Sequence, residues 1–174
     1  GLLGLGGVGA LGAGGWYLAQ LWSRPASGAP MFQYNLANTG HATDEIGPTD
    51  TITERWTYTT GASVESSPAV VDGTVYIGSA DGTVHALDAT NGTEQWAFDT
   101  GGGVRSSPAV VDGTVYVGSL DNSIYALDAA VGTEQWTFNT GDKVFSSPAV
   151  VDGTVYVGSR DHTVYALSAA DGSE

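Results

Sequence analysis

The chain has 174 residues, 19 of them acidic and five basic, which gives a formal net charge of −14. It contains no cysteine, so disulfide bonds, a catalytic thiol and thiolate metal sites are excluded. Nucleic acid is not an expected partner, because phosphate binding depends on Lys and Arg. Such acidity favours solubility. The acidity, together with the presence of a single Lys, also indicates adaptation to high salt. At 1 M salt the Debye length is only about 3 Å, so repulsion between the acidic side chains is weakened.

The first 22 residues carry no charge and are rich in glycine. They are typical of the apolar part of a secretory signal. A retained membrane anchor fits equally well, with Trp16, Tyr17 and Trp22 at the membrane interface. Both interpretations predict an extracytoplasmic protein, either secreted or attached to the membrane at the cell surface. Residues 23–53 follow as a predicted linker and a segment that either caps the first repeat or closes a ring of repeats.

A long block of sequence then repeats. Residues 66–101 and 106–141 agree at 26 of 36 aligned positions and are offset by 40 residues, and a third copy starts at Ser146. A fixed period of about 40 residues is the signature of a repeat architecture. We therefore assign residues 54–174 to one repeat domain, divided into the ranges 56–95, 96–135 and 136–174.

Each repeat contains four short strand patterns separated by turns. In the second copy, the apolar run 108–111 leads through Asp112-Gly113, a pair suited to a type I′ hairpin turn, into a run rich in β-branched and aromatic residues. Two further strands follow at 123–127 and 134–138. Turn signals about every ten residues leave no room for a helix. The sequence thus predicts an all-β fold, a partial β-propeller of four-stranded antiparallel blades with about three blades present.

Four residue types recur at fixed offsets and carry a family resemblance. The full pattern occurs twice, as Ala86, Asp88, Gly92 and Trp96, and as Ala126, Asp128, Gly132 and Trp136. It resembles the tryptophan-docking motif of PQQ-like (quinoprotein-like) propellers, which implies that each Trp packs between adjacent blades and that Gly and Asp shape the preceding turn. The third copy keeps Ala166 and Gly172 but has Ser168 in place of Asp, and Trp56 matches only the tail of the motif.

The segment before the repeats carries a second resemblance. Residues 31–40 are similar to the stretch that opens many secreted PQQ-like propellers, including those related to the outer-membrane assembly factor BamB. The resemblance implies pairing with C-terminal strands to close the ring, and a simple capping loop is the alternative. Three incomplete blades do not close a ring. We therefore expect a fragment of a longer protein whose open blade edges invite self-association.

Residues suited to chemistry are scarce in the repeats. Quinoprotein dehydrogenases of this fold hold their cofactor with Glu, Asn, Asp and often a Cys pair, and no Cys is present. The repeated aspartates fall at predicted turns, which they stabilise through local backbone contacts. His41, His85 and His162 do not cluster, and we expect His85 to be half-buried beside the sheet. The sequence predicts no catalytic, cofactor-binding or metal-binding residues and no cofactor.

The positions that differ between repeats are the best candidates for recognition, because surface loops on a rigid scaffold carry binding functions. The candidates for partner binding are Arg105, Phe145, Leu120 and Arg160. Plain surface variation is the alternative explanation. By resemblance we predict a non-enzymatic extracytoplasmic scaffold that binds a protein or peptide. The alternative is the propeller of a PQQ-dependent oxidoreductase whose cofactor residues lie elsewhere in the protein.

Overall fold

A computed structural model describes residues 28–29 and 53–174, and every ordered element in these ranges is a β-strand. The strands are β1 (Gly28–Ala29), β2 (Ala69–Val71), β3 (Thr74–Gly78), β4 (Thr83–Asp88), β5 (Glu94–Asp99), β6 (Ala109–Val111), β7 (Thr114–Gly118), β8 (Ser123–Asp128), β9 (Glu134–Asn139), β10 (Ala149–Val151), β11 (Thr154–Gly158) and β12 (Val164–Ser168). The predicted all-β fold is confirmed.

The strands form three separate antiparallel sheets. The first has the order β1-β2-β3-β4-β5, the second β6-β7-β8-β9 and the third β10-β11-β12. The register repeats between sheets, so that Tyr76 lies opposite Ala86 in the first and Tyr116 opposite Ala126 in the second. The short first strands β2, β6 and β10 adjoin one another, which makes them the inner strands of consecutive blades. This is the arrangement of a partial β-propeller.

The hairpin turns explain why particular residues recur. Asp112 and Gly113 have φ values of 49° and 76°, as a type I′ turn requires, and the other two Asp-Gly pairs adopt the same conformation. The second turn of each sheet needs positive φ at one position, which is occupied by Gly82, Asn122 and His162, with φ values of 102°, 78° and 72°. Variation at that position therefore follows backbone geometry, since Gly and Asn tolerate positive φ and His is enriched there.

The core lies between the sheets. One buried cluster joins the first sheet to the second and includes Tyr76, Val84, Trp96 and Val115, while a second cluster joins the second sheet to the third. Residues at the centre of these clusters, such as Leu127, are fully buried. Because each sheet buries one apolar face against the next, the stability of the array comes mainly from interfaces between neighbours.

The sheets coincide with the copies at 66–101 and 106–141, whereas the ranges that begin at Trp96 and Trp136 are offset from the sheets. Both ranges start on the outer strand of one sheet and continue into the next sheet, since Trp96 lies on β5 and Trp136 on β9. The third sheet has three strands, and Val164 on its last strand is 76% exposed. Strand β1 pairs with the inner strand β2 of the first sheet. Apart from β1, the predicted signal or anchor, linker and closing segment lie outside the described residues. No helix long and apolar enough to cross a membrane occurs in the described ranges.

Candidate functional site

The recurring tryptophans connect each blade to the next. Trp96 Nε1 donates a hydrogen bond of 2.9 Å to the carbonyl oxygen of Ala129 in the following sheet, and Trp136 Nε1 donates one of 3.0 Å to that of Ala169. Trp56 makes the same contact with Ala89, at 3.1 Å. Each indole thus fills an interface and satisfies a turn carbonyl of the next repeat.

The glycine of the motif is required by the indole that docks on it. A Cβ atom on Gly132 would lie 2.5 Å from Trp96 Cδ2, and one on Gly92 would lie 2.6 Å from Trp56 Cε3. Real Cβ atoms do not approach other atoms that closely. Gly132 also has a φ of 73°, a conformation that side chains disfavour. Gly172 meets Trp136 in the same way, at 2.7 Å from its Cε3 atom.

The aspartate and alanine of the motif complete the docking turn. The Asp128 carboxylate accepts hydrogen bonds from the backbone N–H groups of Ala130 and Val131 at 2.9 and 3.1 Å, and Asp88 accepts the corresponding pair. Ala126 is fully buried opposite Trp136. In the third copy, Ser168 lacks a carboxylate and Asp171 accepts from Ser173 instead, while Ala166 is exposed on the three-stranded sheet. These motif residues therefore stabilise the docking turns and the packing between sheets.

The paired serines before each inner strand have two separate tasks. The hydroxyl of the first serine, Ser66, bridges the N–H and carbonyl of Gly78 in its own sheet. The hydroxyl of the second joins neighbouring sheets: Ser107 Oγ accepts from Ser67 N at 2.8 Å, and Ser147 Oγ accepts from Ser107 N at 3.0 Å. These hydroxyls therefore connect strands within a sheet and inner strands of neighbouring sheets.

His85 is buried, with 6% of its surface exposed, so the expected half-buried position is wrong. Its Nδ1 lies 2.9 Å from Glu94 Oε2, and Tyr58 donates a short hydrogen bond to the same oxygen. This bond raises the pKa of Tyr58 to about 12, and the bonds from Tyr58 and His85 lower the pKa of Glu94. In the second and third sheets the equivalent pairs are apolar ring contacts, such as Phe98 with Tyr125. Only one His stands in this cluster, and Nε2 of His85 has no hydrogen-bond partner within residues 53–174.

The structure brings together three of the four candidate partner-binding residues. Arg105 Cζ lies 5.8 Å and Arg160 Cζ 5.2 Å from the centre of the Phe145 ring. Both are within the range of cation–π attraction. Arg105 also forms an ion pair of 3.3 Å with Glu65, in which both side chains are about two-fifths exposed. The sequence places Arg105 in one repeat and Phe145 and Arg160 in the next, and the contact of Arg105 with Phe145 follows from the stacking of the sheets.

We call Arg105, Lys143, Phe145 and Arg160 the rim cluster. All four precede an inner strand or occupy the second turn of a sheet, and in an antiparallel blade those connections lie at the same end. Lys143 joins the group through its carbonyl oxygen, which accepts a 3.0 Å hydrogen bond from Arg160 N. Sequence reasoning missed Lys143 because its proximity to Arg160 depends on this pairing of two loops.

The fourth candidate, Leu120, lies elsewhere on the same end of the blades. Its backbone N–H donates to Gly103 at 3.0 Å, and its Cδ1 atom would lie 3.4 Å from a Cβ built on Gly103. The side chain is half-buried against that loop. Leu120 therefore packs between two loops of consecutive sheets.

Acidic groups near the rim cluster are held by local hydrogen bonds. Asp161 Oδ2 accepts from the backbone N–H of Gly141 and from the hydroxyl of Tyr165, both at 2.7 Å. Desolvation raises the pKa of Asp161, but these bonds and those from Thr163 together outweigh it and lower that pKa to about 2. Asp142 Oδ1 accepts from the backbone N–H of Lys143 at 2.7 Å. In the part of the chain that the structure describes, no group of three metal-ligating side chains is assembled.

The family of the chain follows from comparison with known proteins. The profile described as "Outer membrane protein assembly factor BamB" matches residues 19–174. The chain belongs to this family of PQQ-like β-propeller repeat proteins. A comparison with curated proteins finds no match.

Solved structures of two functional kinds share the fold. BamB from Moraxella catarrhalis is 24% identical over 68% of this chain and 38% of its own, with a TM-score of 0.61. A quinohemoprotein alcohol dehydrogenase from Pseudomonas putida is 31% identical over 69% of this chain and 21% of its own, with a TM-score of 0.62. The quinohemoprotein alcohol dehydrogenase from Comamonas testosteroni is 24% identical over 90% of this chain and 28% of its own, with a TM-score of 0.72. The chain thus spans less than two-fifths of these proteins, and the likeness fits a scaffold and a quinoprotein propeller equally.

Proposed function

We propose that the chain is part of a non-catalytic, extracytoplasmic β-propeller scaffold that binds a protein or peptide partner through the end carrying the rim cluster. The observation that carries this proposal is the contact of Arg105 and Arg160 with Phe145. These side chains differ from their counterparts in the other repeats, yet they meet at one exposed place. Aromatic residues and Arg are also the types enriched at protein interfaces.

The contrast with the repeated polar residues supports the proposal. Ser107, Ser147, the aspartates of the docking turns and the tryptophans make bonds within or between blades. These bonds account for polar groups that recur between repeats. Among the side chains that vary between repeats, Arg105 and Arg160 are exposed and Leu120 and Phe145 are half-exposed. A scaffold that conserves its packing and varies its loops in this way is suited to recognition.

Membership of the BamB family favours a binding role outside the cytoplasm. The two interpretations of residues 1–22, a cleaved signal and a membrane anchor, both predict the same location. The second candidate function is the propeller of a PQQ-dependent oxidoreductase. It is favoured by the similarity to two quinohemoprotein alcohol dehydrogenases. An assay of dye-linked alcohol oxidation, with the purified natural protein supplied with PQQ and calcium, distinguishes the two functions. Only a PQQ-dependent oxidoreductase is expected to show this activity.

The binding role is tested by site-specific photo-crosslinking in intact cells. A benzophenone side chain replaces Phe145 at the rim, and the matched control replaces Val131, an exposed apolar residue in a turn at the opposite end of the blades. We expect a discrete protein adduct from position 145 and none from position 131. The absence of an adduct at 145, or the same adducts from both positions, contradicts the proposal.

A further inference from the structure

The charges of the rim cluster stand out against the composition of the chain. Residues 53–174 contain four basic side chains, and three of them belong to the rim cluster, namely Arg105, Lys143 and Arg160. The fourth, Arg55, lies beside the docked Trp56, away from the cluster. In a chain with 19 acidic residues, basic side chains readily find carboxylate partners. A basic side chain that has no carboxylate partner within the chain is therefore a candidate for binding a carboxylate from another molecule.

Within residues 53–174, two of these cations lack a carboxylate partner. Arg105 is paired with Glu65 at 3.3 Å, but within the described part of the chain neither Arg160 nor Lys143 forms an ion pair. The guanidinium of Arg160 is supported on one face by the Phe145 ring, at 5.2 Å. Stacking leaves the edge of a guanidinium free, and that edge carries the N–H donors that bind a carboxylate in a bidentate manner.

The pair formed by Arg105 and Glu65 shows how such a site is filled. Arg105 contacts the same ring as Arg160, and its Nε atom binds a carboxylate oxygen from the neighbouring repeat. Among the residues that the structure describes, no equivalent carboxylate pairs with Arg160. The nearby Asp161 and Asp142 are engaged by backbone N–H groups, and Asp161 is also engaged by a tyrosine hydroxyl. These two acidic side chains reduce the local positive potential, so a partner must contact the guanidinium directly.

We infer that Arg160 and Lys143, supported by Phe145, bind a carboxylate side chain from an acidic segment of the partner protein. This inference rests on the proposed function and adds the chemistry of the partner. The ring offers apolar contact beside the charged group, so a Glu side chain, with its aliphatic stem, fits the site. Since exposed ion pairs contribute only about 0.2–1 kcal/mol each, several acidic residues on the partner are needed for useful affinity.

The test measures binding of hexaglutamate by NMR chemical-shift changes at low ionic strength, with hexaglutamine as the neutral control peptide. We expect shifts at residues 142–145 and 159–161 with hexaglutamate and none with hexaglutamine. The double variant Lys143→Gln/Arg160→Gln is expected to weaken hexaglutamate binding about fivefold or more. The control variant Arg55→Gln removes one positive charge outside the cluster and is expected to change the affinity by less than twofold.

Four outcomes overturn the inference: equal binding of both peptides, equal losses in the rim and Arg55 variants, shifts located away from the rim, or no binding of hexaglutamate. PQQ, a tricarboxylate, is titrated in parallel. Binding of PQQ at the rim that hexaglutamate does not displace assigns the site to a small molecule and also overturns the inference. If crosslinking from position 145 yields a partner while hexaglutamate does not bind, the proposed function stands and the acidic chemistry is wrong.

Discussion

The docking of Trp96 on Gly132 predicts a large and specific cost for adding one methyl group. In the variant Gly132→Ala, the new Cβ lies 2.5 Å from Trp96 Cδ2 and the residue must keep a φ of 73°. Strain at positive φ costs about 1 kcal/mol. Forcing the indole aside adds about 1–3 kcal/mol of overpacking. It also weakens the 2.9 Å hydrogen bond to Ala129, worth about 1 kcal/mol.

The matched control is Gly113→Ala, which has the same conformational strain without the clash. Gly113 has a φ of 76°, and a Cβ built on it meets no atom within 4 Å. We expect this variant to lose about 1 kcal/mol of unfolding free energy. Gly132→Ala is expected to lose about 3 kcal/mol more, which corresponds to a further fall of about 10 °C in Tm. Thermal unfolding followed by circular dichroism in molar KCl measures both. Equal losses in the two variants refute the docking argument.

Three other predictions concern single side chains. Trp96→Phe is expected to lower the unfolding free energy by about 1 kcal/mol or more, because the bond to Ala129 disappears, and urea unfolding measures this loss. Asp161→Asn is expected to remove a stabilisation that is present above about pH 4, the ordinary pKa range of Asp, and is lost as the pH falls through the folded pKa of about 2. Glu94→Gln is expected to return the pKa of Tyr58 from about 12 towards 10, as read by ultraviolet titration of the phenol.

Each of these predictions has an outcome that contradicts it. An unchanged unfolding free energy for Trp96→Phe shows that the indole N–H contributes nothing beyond its ring. Identical stability-against-pH curves for Asp161→Asn and the parent chain between pH 4 and 2 show that the carboxylate is not stabilised by its hydrogen bonds. For Glu94→Gln, a Tyr58 pKa that stays near 12 assigns the shift to burial alone.

The sequence predicted much of the fold because the repeats report the same local rules three times. The Asp-Gly pairs require positive φ, the alternating apolar residues require a half-buried strand, and the tryptophan spacing gives the period. The observed strand bounds differ from the predicted ones by one residue at most in the second copy, as for Ala109–Val111. The four strands assigned to the second copy form one sheet, β6 to β9, whereas the ranges that begin at a tryptophan run from one sheet into the next, because periodicity fixes the length of a unit but not its starting point.

The candidate site was only partly predictable. Comparison of the repeats singled out Arg105, Phe145, Leu120 and Arg160 as variable, which is information that one chain carries. It gave no indication that Leu120 packs against a neighbouring loop or that Lys143 lies beside Arg160. The burial of His85 was also missed. Its partners Glu94 and Tyr58 come from other strands, so their proximity depends on pairing within and between sheets.

The sequence by itself determined the strands, the turns and the period, because these follow from backbone preferences within a few residues. It also determined the acidity and the absence of thiol chemistry, which depend on composition alone. The tertiary structure decided which variable side chains meet. Stacking of successive sheets carries residues that are about 40 positions apart, such as Arg105 and Phe145, into contact at the rim. No local rule specifies that contact, since it arises only when the buried faces of two sheets are packed together.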